Sequence, residues 1–181
     1  MEKIKKEKLQ IYVNELLNWN QAYNLIGKST EKEIWETHIE NSLEVLPFLA
    51  GEEGRNIVDI GTGAGLPSIP LSIFLPEKTF YLTEVNLKKL AFLTFISKKL
   101  NLNTRIVNIN EGFFLKEECL VISRAFSTIR EIIKWENKHL ASVLSTYLLK
   151  GRLEKIEFEL KEANLEKFRI VELKKGNLVI F

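Results

Sequence analysis

The chain has 181 residues, 45% apolar and 28% charged, with a formal net charge of +2, the size and balance of one soluble globular domain with a buried core. Its single cysteine, Cys119, excludes an internal disulfide framework and a CxxC zinc site. No run approaches the ~20 apolar residues of a membrane span, and the charged start Met-Glu-Lys-Ile-Lys-Lys leads into no apolar signal region, so a soluble, cytoplasmic protein is expected.

Residues 3–18 predict an amphipathic helix, with Leu9, Tyr12, Val13 and Leu16 at i, i+3, i+4 and i+7. Trp19 to Leu25 breaks that period and leads to Gly27. Thr30 and Glu33 have the spacing of a capping box. Ile34, Trp35, His38, Ile39, Ser42, Leu43 and Leu46 continue as a helical stripe that stops at Pro47. His38 on that stripe reads either as a hydrogen-bonded core residue or as a substrate-side group. Gly51 to Arg55 is a polar connector. It divides a helical extension (1–50) from the main fold (51–181) within a single domain.

The most informative stretch is Asn-Ile-Val-Asp-Ile-Gly-Thr-Gly-Ala-Gly-Leu, residues 56–66. A short apolar run (Ile57, Val58, Ile60) predicts a buried strand. Three alternating glycines, Gly61, Gly63 and Gly65, predict a sharp turn that a ligand can approach closely. Leu66 and Ile69, with Pro67 in a first turn, open a helix. A dinucleotide site needs Gly-x-Gly-x-x-Gly, and Leu66 stands where its third glycine belongs. Asp59 puts a carboxylate beside the loop, which repels a pyrophosphate and suits a cation. The acidic-x-Gly-x-Gly-x-Gly pattern resembles motif I of class I S-adenosylmethionine (SAM) methyltransferases, whose cofactor carries a sulfonium and an amino group.

Thr79–Thr83 predicts a second strand ending at Glu84, which follows Gly61 by roughly the 20 residues at which such folds place a ribose-binding acid. Asn86–Leu100 reads as a helix with Leu87, Leu90, Ala91, Phe95 and Leu100 partly inward and Lys88, Lys89, Lys98 and Lys99 outward. Strands are expected at Arg105–Ile109, before Asn110 and Glu111, and at Leu120–Ile122, before Ser123, Arg124, Ala125 and Phe126. A helix at Ile129–Leu144, a strand at Thr146–Leu149 and a charged helix at Arg152–Asn164 follow. Phe168–Leu173 and Leu178–Phe181 pair across a Lys-Gly-Asn turn. The fold class is therefore α/β, a mainly parallel seven-stranded sheet with an antiparallel last strand.

Ligands bind beyond the carboxyl ends of such strands. Asp59, Glu84 and Glu111 would surround one with negative charge, which suits a sulfonium and not a triphosphate; a P-loop is also absent. Methylation of a pyrimidine carbon needs a cysteine nucleophile, and acidic Glu117 and Glu118 beside Cys119 would raise its pKa. After strand four the chain has Ser-Arg-Ala-Phe, without the Asp/Asn-Pro-Pro-aromatic motif of exocyclic-amine methylation. An acceptor that is already nucleophilic, such as guanine N7, remains, and it needs alignment and no general base.

Asn18-Trp19-Asn20, Tyr23-Asn24-Leu25, His38-Ile39-x-x-Ser42-Leu43, Asp59 through Leu71, Lys88-Lys89, Phe92-Leu93 and Ser123-Arg124-Ala125-Phe126 occur in an order that resembles the GidB/RsmG family. These are guanine-N7 methyltransferases of small-subunit (16S) ribosomal RNA. The resemblance implies a Rossmann-like class I fold, SAM as cofactor, and 16S rRNA or the small ribosomal subunit as partner of a monomeric enzyme. The candidate cofactor contacts are Asp59, Gly61, Thr62, Gly63, Gly65, Leu66, Glu84 (at the ribose), Asn110, Glu111 and Arg124; Arg124 and His38 are the substrate-side candidates. No metal site is expected. Ala64 stands for the family's usual proline, Ser68 for a common glycine and Glu84 for a common aspartate, and the C-terminal region is compact.

Lys3, Lys5, Lys6, Lys8, Lys28, Lys88, Lys89 and Arg130 are candidates for RNA phosphates or are solvated charges. Trp19 and Tyr23 either stack on bases or fill core. Three rivals differ in what they require. A small-molecule methyltransferase needs a deep apolar pocket without a basic rim. A non-enzymatic RNA binder would show a broken glycine loop, and a nicotinamide oxidoreductase is disfavoured by Leu66.

Overall fold

A computed structural model describes residues 2–181. Helix α1 (Glu2–Tyr23) is followed by a 3-10 turn (Lys28–Thr30), a π-helical segment (Trp35–Glu40) and the short helices α2 (Asn41–Leu43) and α3 (Leu46–Ala50). Strands and helices then alternate: β1 (Asn56–Asp59), α4 (Ser68–Phe74), β2 (Thr79–Glu84), α5 (Leu87–Lys99), β3 (Thr104–Asn108), β4 (Cys119–Arg124), α6 (Ile129–His139), β5 (Val143–Lys150), α7 (Leu153–Glu162), β6 (Arg169–Glu172) and β7 (Asn177–Ile180).

The seven strands form one sheet in the order β3-β2-β1-β4-β5-β7-β6. All neighbouring pairs from β3 to β5 are parallel, and β7 runs antiparallel to both β5 and β6. The mainly parallel sheet with an antiparallel last strand is thus as expected. Its chain order reverses between β1, which runs on to β2, and β4, which is the switch point where such sheets open a ligand crevice. Alternation along β1 sends Ile57 to one face and Val58 and Ile60 to the other, and both faces are covered. Ile57, Phe80, Leu82, Leu120 and Ile122 meet Leu9, Tyr12 and Leu16 of α1 with Phe92 and Ile96 of α5. Val58, Ile60, Val121 and Leu148 meet Ile129 and Ile132 of α6 with Ile156 and Leu160 of α7.

Several local expectations are corrected. Helix α1 continues to Tyr23, because Trp19 finds aromatic partners in Phe92 and Phe95 at 5.5 and 5.4 Å. The buried Asn20 then accepts from the Ile26 amide, and Asn24 at φ 48° turns the chain. Thr30 and Glu33 form no capping box: the Thr30 hydroxyl donates to Gly27 O, and Glu33 faces Lys175. The π turn adds a residue and shifts the stripe to Ile34, Ile39, Val45 and Leu49, while Pro47 sits in the first turn of α3 and does not stop it. In α5 the inward positions are Phe92, Leu93, Ile96 and Leu100; Leu87, Ala91 and Phe95 are exposed. Helix α6 ends at His139 because Leu115 accepts from Ala141 N and donates to His139 O, drawing the chain into β5.

Candidate active site

Strand register builds the site. Asp59 of β1 is level with Leu82 of β2 and Ile122 of β4. Two residues further on, Gly61 is therefore flanked by Glu84 at the end of β2 and Arg124 at the end of β4. The turn is fastened from both sides. The Gly61 amide donates to the Thr83 hydroxyl (3.2 Å), Thr62 N to Thr83 O (3.0 Å), and the Ser123 hydroxyl to Ile60 O (2.8 Å). From above, the Tyr12 hydroxyl of α1 donates to Ala64 O (2.9 Å), so the N-terminal helix holds the loop directly.

The glycines have separate tasks. Gly61, Gly63 and Gly65 all adopt positive φ (66°, 61° and 90°), which L side chains tolerate poorly. A Cβ on Gly61 would collide with the Phe126 ring, and one on Gly65 with Ile69 of the following helix. The Gly65 and Leu66 amides are spent on Thr62 O at 2.9 and 3.2 Å. Among the described residues, those of Gly63 and Ala64 make no hydrogen bond, which leaves them for a ligand.

Glu84 is 8% exposed; its Oε1 accepts from the amides of Val85 (2.8 Å) and Asn86 (3.0 Å), and its Oε2 faces Lys89 at 3.8 Å. Two amide bonds fix the carboxylate and leave the second oxygen at the crevice. With Ile60, Gly61, Thr83, Val85, Ile109, Phe126 and Trp135 it lines a cavity of about 240 Å³. Apolar and aromatic walls with one carboxylate at the rim fit a nucleoside. A base would pack on such walls, and ribose hydroxyls would donate to the acid.

Other predicted residues fall elsewhere. Asp59 is fully buried beneath the loop, with Oδ2 accepting from the Thr62 hydroxyl (2.6 Å) and Oδ1 without a partner. Burial pushes its carboxyl up to about 7, against the opposing effect of Thr62, Ser68 and Arg124. The expected open carboxylate beside a cationic ligand is corrected here: Asp59 and Thr62 serve the loop from within, and Leu66 is core. Asn110 and Glu111 lie exposed on a 3-10 turn (Ile109–Glu111) at the crevice edge, Glu111 accepting from the Asn108 amide group (2.8 Å). Arg124 is half-buried, close to Tyr12 and Asp59, which offset the lowering of its pKa by burial. His38 meets the Thr30 hydroxyl through Nε2 (2.9 Å), while its Nδ1 is buried without a partner. Burial, then Arg124 and Lys175, lowers His38 to about 4, so it is neutral near pH 7. Neither His38 nor Arg124 lines the two cavities at the strand ends.

Cys119 is buried, and its thiol is pushed up to about 12 by that burial and by Glu136, not by Glu117 and Glu118 as the sequence suggested. It offers no nucleophile. Among the described residues no cluster of His, Cys, Asp and Glu could hold a metal ion, and no helix is long and apolar enough to cross a membrane.

A second, larger cavity of about 670 Å³ opens beyond β4 and β5. Lys150, Arg152, Lys155 and Glu159 supply its polar wall, and Phe126 borders both cavities. Sequence reasoning missed this one. Lys150 was visible as the end of a strand, but Glu159 carried no signal within a charged helix.

The family model GidB, described as rRNA small subunit methyltransferase G, matches residues 5–178. The chain belongs to this family. Relatives named ribosomal RNA small subunit methyltransferase G include one from Brachyspira hyodysenteriae, 40% identical over 173 residues, covering 94% of this chain and 84% of the relative. Another, from Magnetococcus marinus, is 43% identical over 159 residues, covering 84% and 71%. Among solved structures, the GidB chain shares its fold with a SAM-dependent methyltransferase from Methanococcus maripaludis described as putative (TM-score 0.64, 16% identity, covering 84% of this chain and 90% of that one). It does so too with a tRNA (m1A58) methyltransferase from Aquifex aeolicus (TM-score 0.57, 15% identity, covering 80% and 69%).

Proposed function

We propose that this GidB chain transfers the methyl group of SAM to N7 of one guanine in 16S ribosomal RNA, acting as a cytoplasmic monomer on the RNA or on the small subunit. The observation that carries the reading is the pair of cavities meeting at Phe126, one shaped for a nucleoside and the other large and rimmed by cations. Gly61, Glu84, Ile109, Phe126 and Trp135 would hold the nucleoside of SAM, with the Gly63 and Ala64 amides and Asn110 at its edges. When bound, SAM supplies an electrophilic methyl group on a sulfonium.

A ring nitrogen with a free lone pair accepts that group with no proton to remove, so the reaction requires no general base. The Cys119 thiol is buried and lines neither cavity, so no covalent route starts from it, and no histidine lines either cavity. The remaining task is alignment, and the fastened loop is built for it. Arg124, at the end of β4 and close to Tyr12 and Asp59, is kept as a substrate-side candidate although it lines neither cavity.

The deciding experiment is methyl transfer from labelled SAM to small-subunit RNA and particles lacking the modification, with the product mapped by cleavage at N7-methylguanine. One labelled guanine is expected. SAM binding without transfer to any RNA or particle would overturn the rRNA reading and put a small-molecule acceptor in its place.

A further inference from the structure

The larger cavity contains a charged pair whose hydrogen bonds are incomplete. Lys150 closes β5, and its ammonium donates to Ser127 O (2.5 Å) and to Glu159 Oε2 (2.7 Å). Glu159 comes from α7 and is 5% exposed. Its Oε2 also accepts from the Ile129 amide at the start of α6 (3.1 Å). Its Oε1 accepts no hydrogen bond among the described residues; the nearest cation there is Lys155, 4.0 Å away and largely exposed. An ammonium has three donors and a carboxylate about four acceptor positions. One Lys150 donor and the whole of Glu159 Oε1 therefore have no protein partner in a cavity wall, where Oε1 is open to solvent and to a ligand.

Resting on the function proposed above, we propose that Glu159 and Lys150 are the residues that select guanine as the methyl acceptor. Guanine presents, side by side, an acceptor (O6) and two donors (N1–H and the 2-amino group). Lys150 donates to O6, and Glu159 Oε1 accepts from N1–H and the 2-amino group. Adenine has no 2-amino group and an acceptor at N1, so it leaves Oε1 facing a lone pair. Phe126, shared with the smaller cavity, gives the purine a ring to stack on. With its Watson–Crick edge on Glu159 and its face on Phe126, the base points its N7 edge away from Glu159, along the Phe126 ring. Methylation at N7 leaves the purine cationic, and the Glu159 carboxylate stabilises that charge as it develops. Arg152 and Lys155 at the rim suit the flanking phosphates.

The test compares RNA carrying guanosine or inosine at the acceptor position, since inosine lacks only the 2-amino group. Wild-type protein should prefer guanosine by tenfold or more in kcat/KM. In Glu159→Gln, guanosine activity should fall at least tenfold, and the preference should shrink to about threefold or less. SAM binding, read from tryptophan fluorescence with Trp135 in the cofactor cavity, should be unchanged and shows that the variant is folded; Glu159→Asp, which keeps a carboxylate drawn back by one methylene, should retain more of the guanosine preference than Gln does. Independently of turnover, saturation-transfer NMR should show guanosine monophosphate bound more tightly than inosine monophosphate by wild type and equally by the variant. An unchanged guanosine-to-inosine ratio, with both activities lowered together, would make the pair a structural clamp and overturn the proposal while leaving rRNA methylation intact. Failure of the wild type on every RNA would instead defeat the underlying reading.

Discussion

The Phe126 ring lies against the backbone of Gly61, on the side where a Cβ at residue 61 would point. The same ring borders both cavities, so the loop glycine and the residue two past the β4 end set each other's position. Gly61→Ala should weaken SAM binding at least tenfold, through strain at φ 66° and through displacement of the ring. Calorimetric titration should show a smaller loss when the same change is made in a Phe126→Ala background. Equal losses in the two backgrounds would mean that strain alone is responsible.

Glu84 separates a structural role from a binding one. Glu84→Gln keeps an oxygen for the Val85 and Asn86 amides, so it should melt near the wild type yet bind SAM about tenfold more weakly. Glu84→Ala removes the acceptor of both amides and should also cost about 1–3 kcal/mol of stability. Thermal melts beside binding isotherms distinguish the two.

Tyr12→Phe deletes one hydroxyl, the one that donates to Ala64 O. A loss of about 1 kcal/mol in urea unfolding is expected, as for a typical buried hydrogen bond. SAM affinity should fall with it, because the bond fastens α1 to the glycine loop. Unaltered affinity would show that the loop holds its shape without α1.

Asp59 makes stability depend on pH. Its folded pKa of about 7 lies above the unfolded value of 3.8, so its contribution is full below the unfolded value and is lost as pH rises through about 7. Glu136, also raised to about 7, acts in the same direction, and His38, lowered to about 4, acts in the opposite one. Asp59→Asn isolates the effect. Relative to the variant, wild type should lose stability between about pH 4 and pH 7, by on the order of a few kcal/mol. A flat difference across that range would place the charge elsewhere.

The basic residues divide by what they already touch. Lys5 donates to Phe74 O and lies over its ring, Lys88 lies over Tyr23, and Lys89 faces Glu84. Arg152 and Lys155 edge the larger cavity. Neutralising Arg152 and Lys155 together should reduce the salt slope of RNA binding by about 2, while Lys5→Gln should leave it unchanged. Filter binding across a salt series reads both.

The sequence by itself determined the sheet, the glycine turn and Glu84. These depend on short-range features: runs of β-branched and apolar residues, glycines that alone accept positive φ, and an acid at the end of the next strand. It also identified Phe126 within Ser-Arg-Ala-Phe without showing what the ring does. Only the tertiary structure decided that Asp59 lies under the loop: its partner Thr62 is local, but its low-dielectric surroundings come from chain folded over it. Likewise, the N-terminal segment became a support for the loop once Tyr12 met Ala64, 52 positions away. Lys150 and Glu159 come together because α7 packs across the end of β5 and the start of α6. In the sequence they are two charges among many, and a carboxylate becomes selective only when folding removes the water from one side of it.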